Sequence, residues 1–178
     1  MLETGLQREL FAAASFDPHF KEELNSLVDG TLIKCLDCGT CTGGCPSSRR
    51  TALRTRRIIR LARLGYRDVL KASELWLCTT CYVCYDRCPR RVNVTDAIIH
   101  LRNMAFRQGF LMPRHVEVAK LLIKHGHAVP INEPTKKLRA ELGLSELPPT
   151  VHSKPEALEE VSAIMELTGF KGLVSKHG

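Results

Sequence analysis

Residues 35–46 read CLDCGTCTGGCP, and residues 78–89 read CTTCYVCYDRCP. Both follow C-x2-C-x2-C-x3-C-P, at an offset of 43 residues. Three cysteines at two-residue gaps can wrap a tight loop around one small object. The fourth, carried off by three more residues and a proline, points elsewhere. The first run is rich in Gly and Thr, which favours irregular, turning backbone. Two copies of one loop, each followed by a helical pattern, make an internal repeat that decides the fold.

This spacing is that of ferredoxin loops that hold [4Fe–4S] clusters. In two-cluster proteins the fourth cysteine ligates the other cluster. One cluster is therefore expected on Cys35, Cys38, Cys41 and Cys88, and the other on Cys78, Cys81, Cys84 and Cys45. The exchange would tie the loops into one unit and keep the clusters close, as electron tunnelling requires. It would also add eight metal–thiolate bonds to a chain with only 6% aromatic residues. Protein without metal is thus expected to fold poorly. Zinc is the competing reading, but zinc sites use paired C-x2-C units and no third cysteine at the same pitch.

Disulfides are a second competitor. The N-terminus, MLETGLQREL, carries acids at Glu3 and Glu9 and lacks the apolar core of a secretory signal. No run approaches the roughly 18–20 apolar residues that span a bilayer. A soluble, cytoplasmic protein with reduced thiols is expected.

Around the loops the pattern is helical, with no sustained period-two alternation, so the fold class is mostly α. Asp17-Pro18 opens a helix carrying Phe20, Leu24 and Leu27, and Gly30 ends it. Ser47 or Ser48 is expected to cap a helix running to Leu64, with Gly65 as a break and a short helical piece over 66–71. Asn93 or Thr95 caps the next, with Val94, Ala97, Ile98, Leu101, Met104 and Ala105 inward and Gly109 at its end. Pro113 opens another, with Val116, Ala119, Leu122 and Ile123 inward. A weaker helix covers 135–142, residues 147–150 read as a linker, and a terminal helix covers 153–168. Its stripe is Leu158, Val161, Ile164 and Met165, with Gly169 stopping it. The organisation expected is an N-terminal helical segment (1–30), a two-cluster core (31–110) and a C-terminal helical extension (111–178) for packing or docking.

The formal net charge is +7. Counting each oxidised cluster with its four thiolates as about −2 leaves about +3. Residues 49–67 hold eight arginines and no acid. At about 100° per residue, Arg49, Arg56, Arg60, Arg63 and Arg67 share about 60° of arc, away from Ala52, Ile58, Ile59, Ala62 and Tyr66. Such a stripe can be a solvated face, a docking surface for an acidic protein, or a nucleic-acid contact, although no nucleic-acid motif accompanies it. Arg87, Arg90 and Arg91 flank the second loop, where positive charge favours the reduced cluster or is simply solvated. His125-Gly126-His127 reads as surface or capping histidines. Both nucleotide-binding glycine fingerprints are absent, and every cysteine is used as a ligand. No catalytic residue is expected.

The paired motifs resemble the alpha-helical ferredoxins, which include the iron–sulfur domains of succinate dehydrogenase and anaerobic glycerol-3-phosphate dehydrogenase. The stretch ELWLCTTCYVCYDRCPRRVNVTDAI, followed by LRNMAF, is similar to the C-subunit family of heterodisulfide reductase from methanogenic archaea. Residues 17–125 carry the resemblance, and TGFKGLV near the C-terminus agrees with it. The resemblance implies an electron-relay subunit in a larger cytosolic complex. A flavin-bearing protein of the A-subunit type would supply the electrons. A catalytic partner of the B-subunit type would reduce the coenzyme M–coenzyme B heterodisulfide of methanogenesis. Hydrogenase or formate dehydrogenase are candidate further members. Two alternatives stay open: the iron–sulfur subunit of another respiratory-type or related reductase complex, and a metal-stabilised nucleic-acid-binding module.

Overall fold

The computed structural model describes residues 16–177. The part of the expected N-terminal segment before residue 16 lies outside them. The chain divides into two units, Met1–Phe110 and Leu111–Gly178. Among the described residues the architecture is helical, and the only pairing of extended backbone is an isolated antiparallel bridge between Phe16 and Tyr66.

The first unit is built on three longer helices, α1 (Pro18–Leu27), α3 (Thr55–Arg63) and α5 (Val94–Arg107). Two single turns, α2 (Thr40–Gly43) and α4 (Val83–Asp86), lie inside the cysteine loops. Helix α1 starts where Asp17-Pro18 dictates. The Asp17 carboxylate accepts the Phe20 N–H at 3.2 Å, and the proline occupies the first turn, where no N–H is needed. Phe20 and Leu24 then face inward at helical spacing. Helix α1 packs on both α3 and α5, and α3 packs on α5. Leu53, Ile58, Ile59, Leu70, Leu75, Ile98 and Leu101 fill the space between them, each almost wholly enclosed. At about 1.5–3 kcal/mol per buried side chain of this size, they stabilise a core that is still small.

Two expectations about helix starts need correction. The helix after the first loop begins at Thr55, not at Ser47 or Ser48. Residues 47–52 form turns instead, because the Ser47 hydroxyl donates to the Leu77 carbonyl at 2.7 Å, and Arg54 donates to the carbonyls of Ser48, Thr51 and Leu53. Arg49 therefore stands outside the helix, and the stripe drawn through it is shorter than the periodicity implies. Helix α5 does start after Asn93, but neither candidate side chain caps it. The Asn93 amide donates to Asp29, and Thr95 turns its hydroxyl toward Cys84.

The second unit contains α6 (Pro113–His125), α7 (Glu133–Glu141), α8 (Pro155–Leu167) and α9 (Phe170–His177). Helices α6, α8 and α9 pack against one another around Val116, Met165 and Val174. Helix α7 starts two residues earlier than its periodicity predicts, since Asn132 accepts from the Thr135 N–H at 3.0 Å. Helix α9 is not among the expected elements, because Gly169 reads as a stop. Gly169 does take a left-handed φ of 71°, and a new helix starts directly after it. Within the predicted stripe of α8, Met165 is buried but Ile164 is 59% exposed and Leu167 beside it is 88% exposed.

His125 and His127 are not isolated surface side chains. With His152 they form a half-buried group of rings, centroids 5.3–6.2 Å apart, around the left-handed cap Gly126. A Cβ on Gly126 would collide with Val151 Cγ2, so no other residue fits there.

Candidate metal centre

The two cysteine loops are the same structure built twice. In each, the second residue after the first cysteine turns left-handed: Asp37 (φ 57°) and its repeat partner Thr80 (φ 51°). The next left-handed position is Gly39 (φ 83°) in one loop and Tyr82 (φ 61°) in the other. Each then enters one helical turn that carries the third cysteine, α2 or α4. Left-handed non-glycine residues cost about 1–3 kcal/mol each and persist at ligand clamps where the surroundings over-determine them. Tyr82 is held by its hydroxyl, which donates to Asp96 of α5 at 2.7 Å. Asp37 is held by Arg60 at 3.2 Å and Arg56 at 3.9 Å, both on α3.

The left-handed turns aim backbone N–H groups at sulfur. Asp37 N–H donates to Cys35 Sγ at 3.4 Å, and Thr80 N–H donates to Cys78 Sγ at 3.5 Å. The fourth cysteines are served likewise, Cys45 by Ser48 N–H at 3.4 Å and Cys88 by Val92 N–H at 3.3 Å. Hydroxyls complete the set: Thr40 Oγ1 lies 3.3 Å from Cys38 Sγ, and Thr95 Oγ1 lies 3.1 Å from Cys84 Sγ.

A concavity of about 380 Å³, its open mouth included, is lined by Cys35, Cys38, Cys41 and Cys88. Three of these come from the first motif and one from the second. Ile59, Val92 and Val94 give it apolar walls, and Arg56 and Arg90 stand at its edge. Burial raises the pKa of Cys84, and the nearby Cys78 and Cys45 raise it further, against the lowering hydrogen bond from Thr95. Cys41 is pushed up to about 11, first by burial, then by Cys84 and Cys35. Cys38 moves the other way, lowered by its hydrogen bonds from Thr40. Burial and crowding disfavour charge on Cys41 and Cys84, and a positive centre bound among them would offset that.

The donor set tests which metal fits. Zinc would need its sulfurs about 2.3 Å from one point. Among the described residues, no three His, Cys, Asp or Glu side chains converge on a single ion. The eight cysteines are all free thiols, and Cys35, Cys38, Cys41 and Cys88 line one concavity. Soft thiolates, dry walls and N–H donors to sulfur suit an iron–sulfur cube, whose ligands stand at separate corners.

Several arginines of the stripe have partners inside this unit. Arg56 and Arg60 pair with Asp37, Arg67 pairs with Asp17 at 2.9 Å, and Arg63 donates to the Cys35 carbonyl. The Arg56 N–H donates to the Thr42 hydroxyl at 2.7 Å, so the first loop caps the helix that follows it. Arg87 packs over Gly44 of the opposite loop. Motif spacing does not reveal Thr40, Thr42, Thr95 or Arg102. Their partners are set by the fold, and only the placing of Thr40 and Thr42 within the first motif hints at a role.

Residues 31–92 match the 4Fe-4S dicluster domain family. Relatives agree along most of their length. The C subunit of the H2:CoB-CoM heterodisulfide,ferredoxin reductase of Methanothermobacter thermautotrophicus is 48% identical over 174 residues, which cover 96% of this chain and 94% of that protein. The C subunit of the ferredoxin:CoB-CoM heterodisulfide reductase of Methanosarcina mazei is 52% identical over 145 residues, 82% of this chain and 90% of that one. The iron-sulfur C subunit of the CoB–CoM heterodisulfide reductase of Methanopyrus kandleri is 47% identical, covering 89% and 87%. With the loop geometry on one side and identity along nearly the whole chain on the other, this protein belongs to the C-subunit family of methanogen heterodisulfide reductases, whose members are iron–sulfur components of an oxidoreductase complex.

Proposed function

We propose that this chain is a one-electron relay that carries two [4Fe–4S] clusters and has no substrate site of its own. When bound, each cluster takes up and gives back a single electron. Cys35, Cys38, Cys41 and Cys88 hold one, and Cys78, Cys81, Cys84 and Cys45 hold the other. The observation that carries this is the cavity lined by three cysteines of the first motif and the fourth of the second.

The protein's own groups do the rest. Ile59, Val92 and Val94 keep water from one site, and the N–H donors of Asp37, Thr80, Ser48 and Val92 stabilise charge on sulfur. Cys38 and Cys81 are the exposed ligands, one in each loop. Each site thus has an outward edge, so one can face a donor and the other an acceptor. In the complex these are a flavin-bearing protein of the A-subunit type and a partner of the B-subunit type that reduces the coenzyme M–coenzyme B heterodisulfide in the cytoplasm. The relatives' names carry H2, formate, ferredoxin or F420H2 as electron source, so the donor to this complex is read from its partners.

The test is a pair of serine substitutions in anaerobically prepared protein. Cys45→Ser is expected to damage the cluster on Cys78, Cys81 and Cys84, and Cys88→Ser the cluster on Cys35, Cys38 and Cys41. Each variant should lose one EPR signal and keep the other. If both clusters survive Cys45→Ser with unaltered spectra, the crossed ligation is wrong.

A further inference from the structure

Each cysteine loop opens on a residue whose backbone carbonyl is held by an arginine of the longer helix that follows. Arg63, the last residue of α3, donates through Nη1 to the Cys35 carbonyl. Arg102, within α5, donates through Nη2 to the Cys78 carbonyl and through Nε to the Leu75 carbonyl at 2.8 Å. The two arginines do not stand at the repeat offset. Arg63 is 28 residues beyond Cys35, and Arg102 is 24 beyond Cys78. The same contact is made twice from unmatched positions, so it does not follow from duplication of the motif alone.

Both side chains are partly enclosed. Arg63 Nε is buried with no hydrogen-bond partner of its own, and the Arg102 guanidinium lies 5.8 Å above the Trp76 ring. A guanidinium keeps its proton at any working pH, and its planar fork holds a fixed direction. Away from bulk water its charge is screened less. Each loop therefore has one permanent positive charge fixed to the peptide of its first ligand. The negative end of that peptide's carbonyl is turned toward the guanidinium. Both effects favour the state with the additional electron, because cluster potentials follow local charge and hydrogen bonding.

We propose that Arg63 and Arg102 are a matched pair of positioning residues, each setting the reduction potential of one cluster through the carbonyl of its first cysteine. This rests on the two-cluster reading above. It differs from a role for Arg87, Arg90 and Arg91, none of which holds a loop carbonyl at a first cysteine among the contacts described.

The test is an EPR-monitored redox titration of the full chain with its clusters in place. Wild type is compared with Arg63→Gln, Arg102→Gln and the two lysine variants. Cys45→Ser and Cys88→Ser assign each signal. Arg63→Gln is expected to lower the midpoint of the cluster on Cys35 alone, and Arg102→Gln that of the cluster on Cys78 alone. Each should cut the reduced-to-oxidised ratio at fixed potential about tenfold, which is about 59 mV for a one-electron couple. Lysine, which keeps the charge, should reverse most of the shift. Unchanged midpoints in glutamine variants with full iron content would overturn the inference. If a glutamine variant loses its cluster, the lysine variant decides. A cluster retained at the wild-type midpoint supports tuning, and a cluster lost there too means a scaffold role and overturns it. Wild-type protein without two clusters would instead defeat the underlying reading, an outcome separable by its iron content.

Discussion

Asp37 and Thr80 are different residues doing one job, a left-handed step that turns an N–H onto the first cysteine's sulfur. The cysteines themselves are legible from spacing alone, since a fixed pitch with a trailing Cys-Pro is a covalent constraint. What surrounds them is not. Thr95 meets Cys84 across 11 residues, and Arg102 meets Cys78 across 24, contacts that only the packed helices bring about. At this scale two outcomes are expected. Thr95→Val removes the hydroxyl beside Cys84 and should lower the midpoint of the second cluster in a redox titration, leaving the first unmoved. Asp17→Ala removes both the α1 cap and the partner of Arg67. Its cost, about 0.5–2 kcal/mol for the cap, should appear as a lower thermal midpoint with iron content unchanged.

Among the helices, those with a cap side chain or an unambiguous stripe are readable in the sequence. Asp17-Pro18 places α1, and Val94, Ala97, Ile98, Leu101, Met104 and Ala105 are all buried on α5 as their spacing requires. The misreadings have separate causes. Ser47 looks like a cap, but its hydroxyl is claimed by a residue 30 positions away, so the helix waits until Thr55. Gly169 looks like a terminus, but it is a corner between two helices. Leu101→Ala in α5 should therefore be severe, about 2–5 kcal/mol for a buried leucine, and should lower iron retention along with stability. Gly126→Ala should act differently. The added methyl collides with Val151 in the second unit, so limited proteolysis should open the region after residue 111 while the cluster signals persist.

For the molecule as a whole, the charge balance and the arginine stripe point toward a partner without naming its class. The structure gives some of these arginines partners: Arg56 and Arg60 share Asp37, Arg67 pairs with Asp17, and Arg63 holds the Cys35 carbonyl. No nucleic-acid-binding motif accompanies these arginines, and we expect no salt-dependent binding of generic DNA or RNA by the cluster-loaded chain. No helix among the described residues is long and apolar enough to cross a membrane. The exposure of Ile164 on α8 is not foreseeable from periodicity, which places it inward. The first unit ends at Phe110, well beyond the last cysteine, Cys88, and Pro113 begins a new helix.

Two clusters in one small chain would show most directly in the iron and acid-labile sulfide content of anaerobically purified protein, with EPR after dithionite reduction. About eight iron and eight sulfide per chain are expected, with the broadened signals of two interacting reduced clusters. Zinc without sulfide, or about four iron with a single isolated signal, would rule the two-cluster relay out.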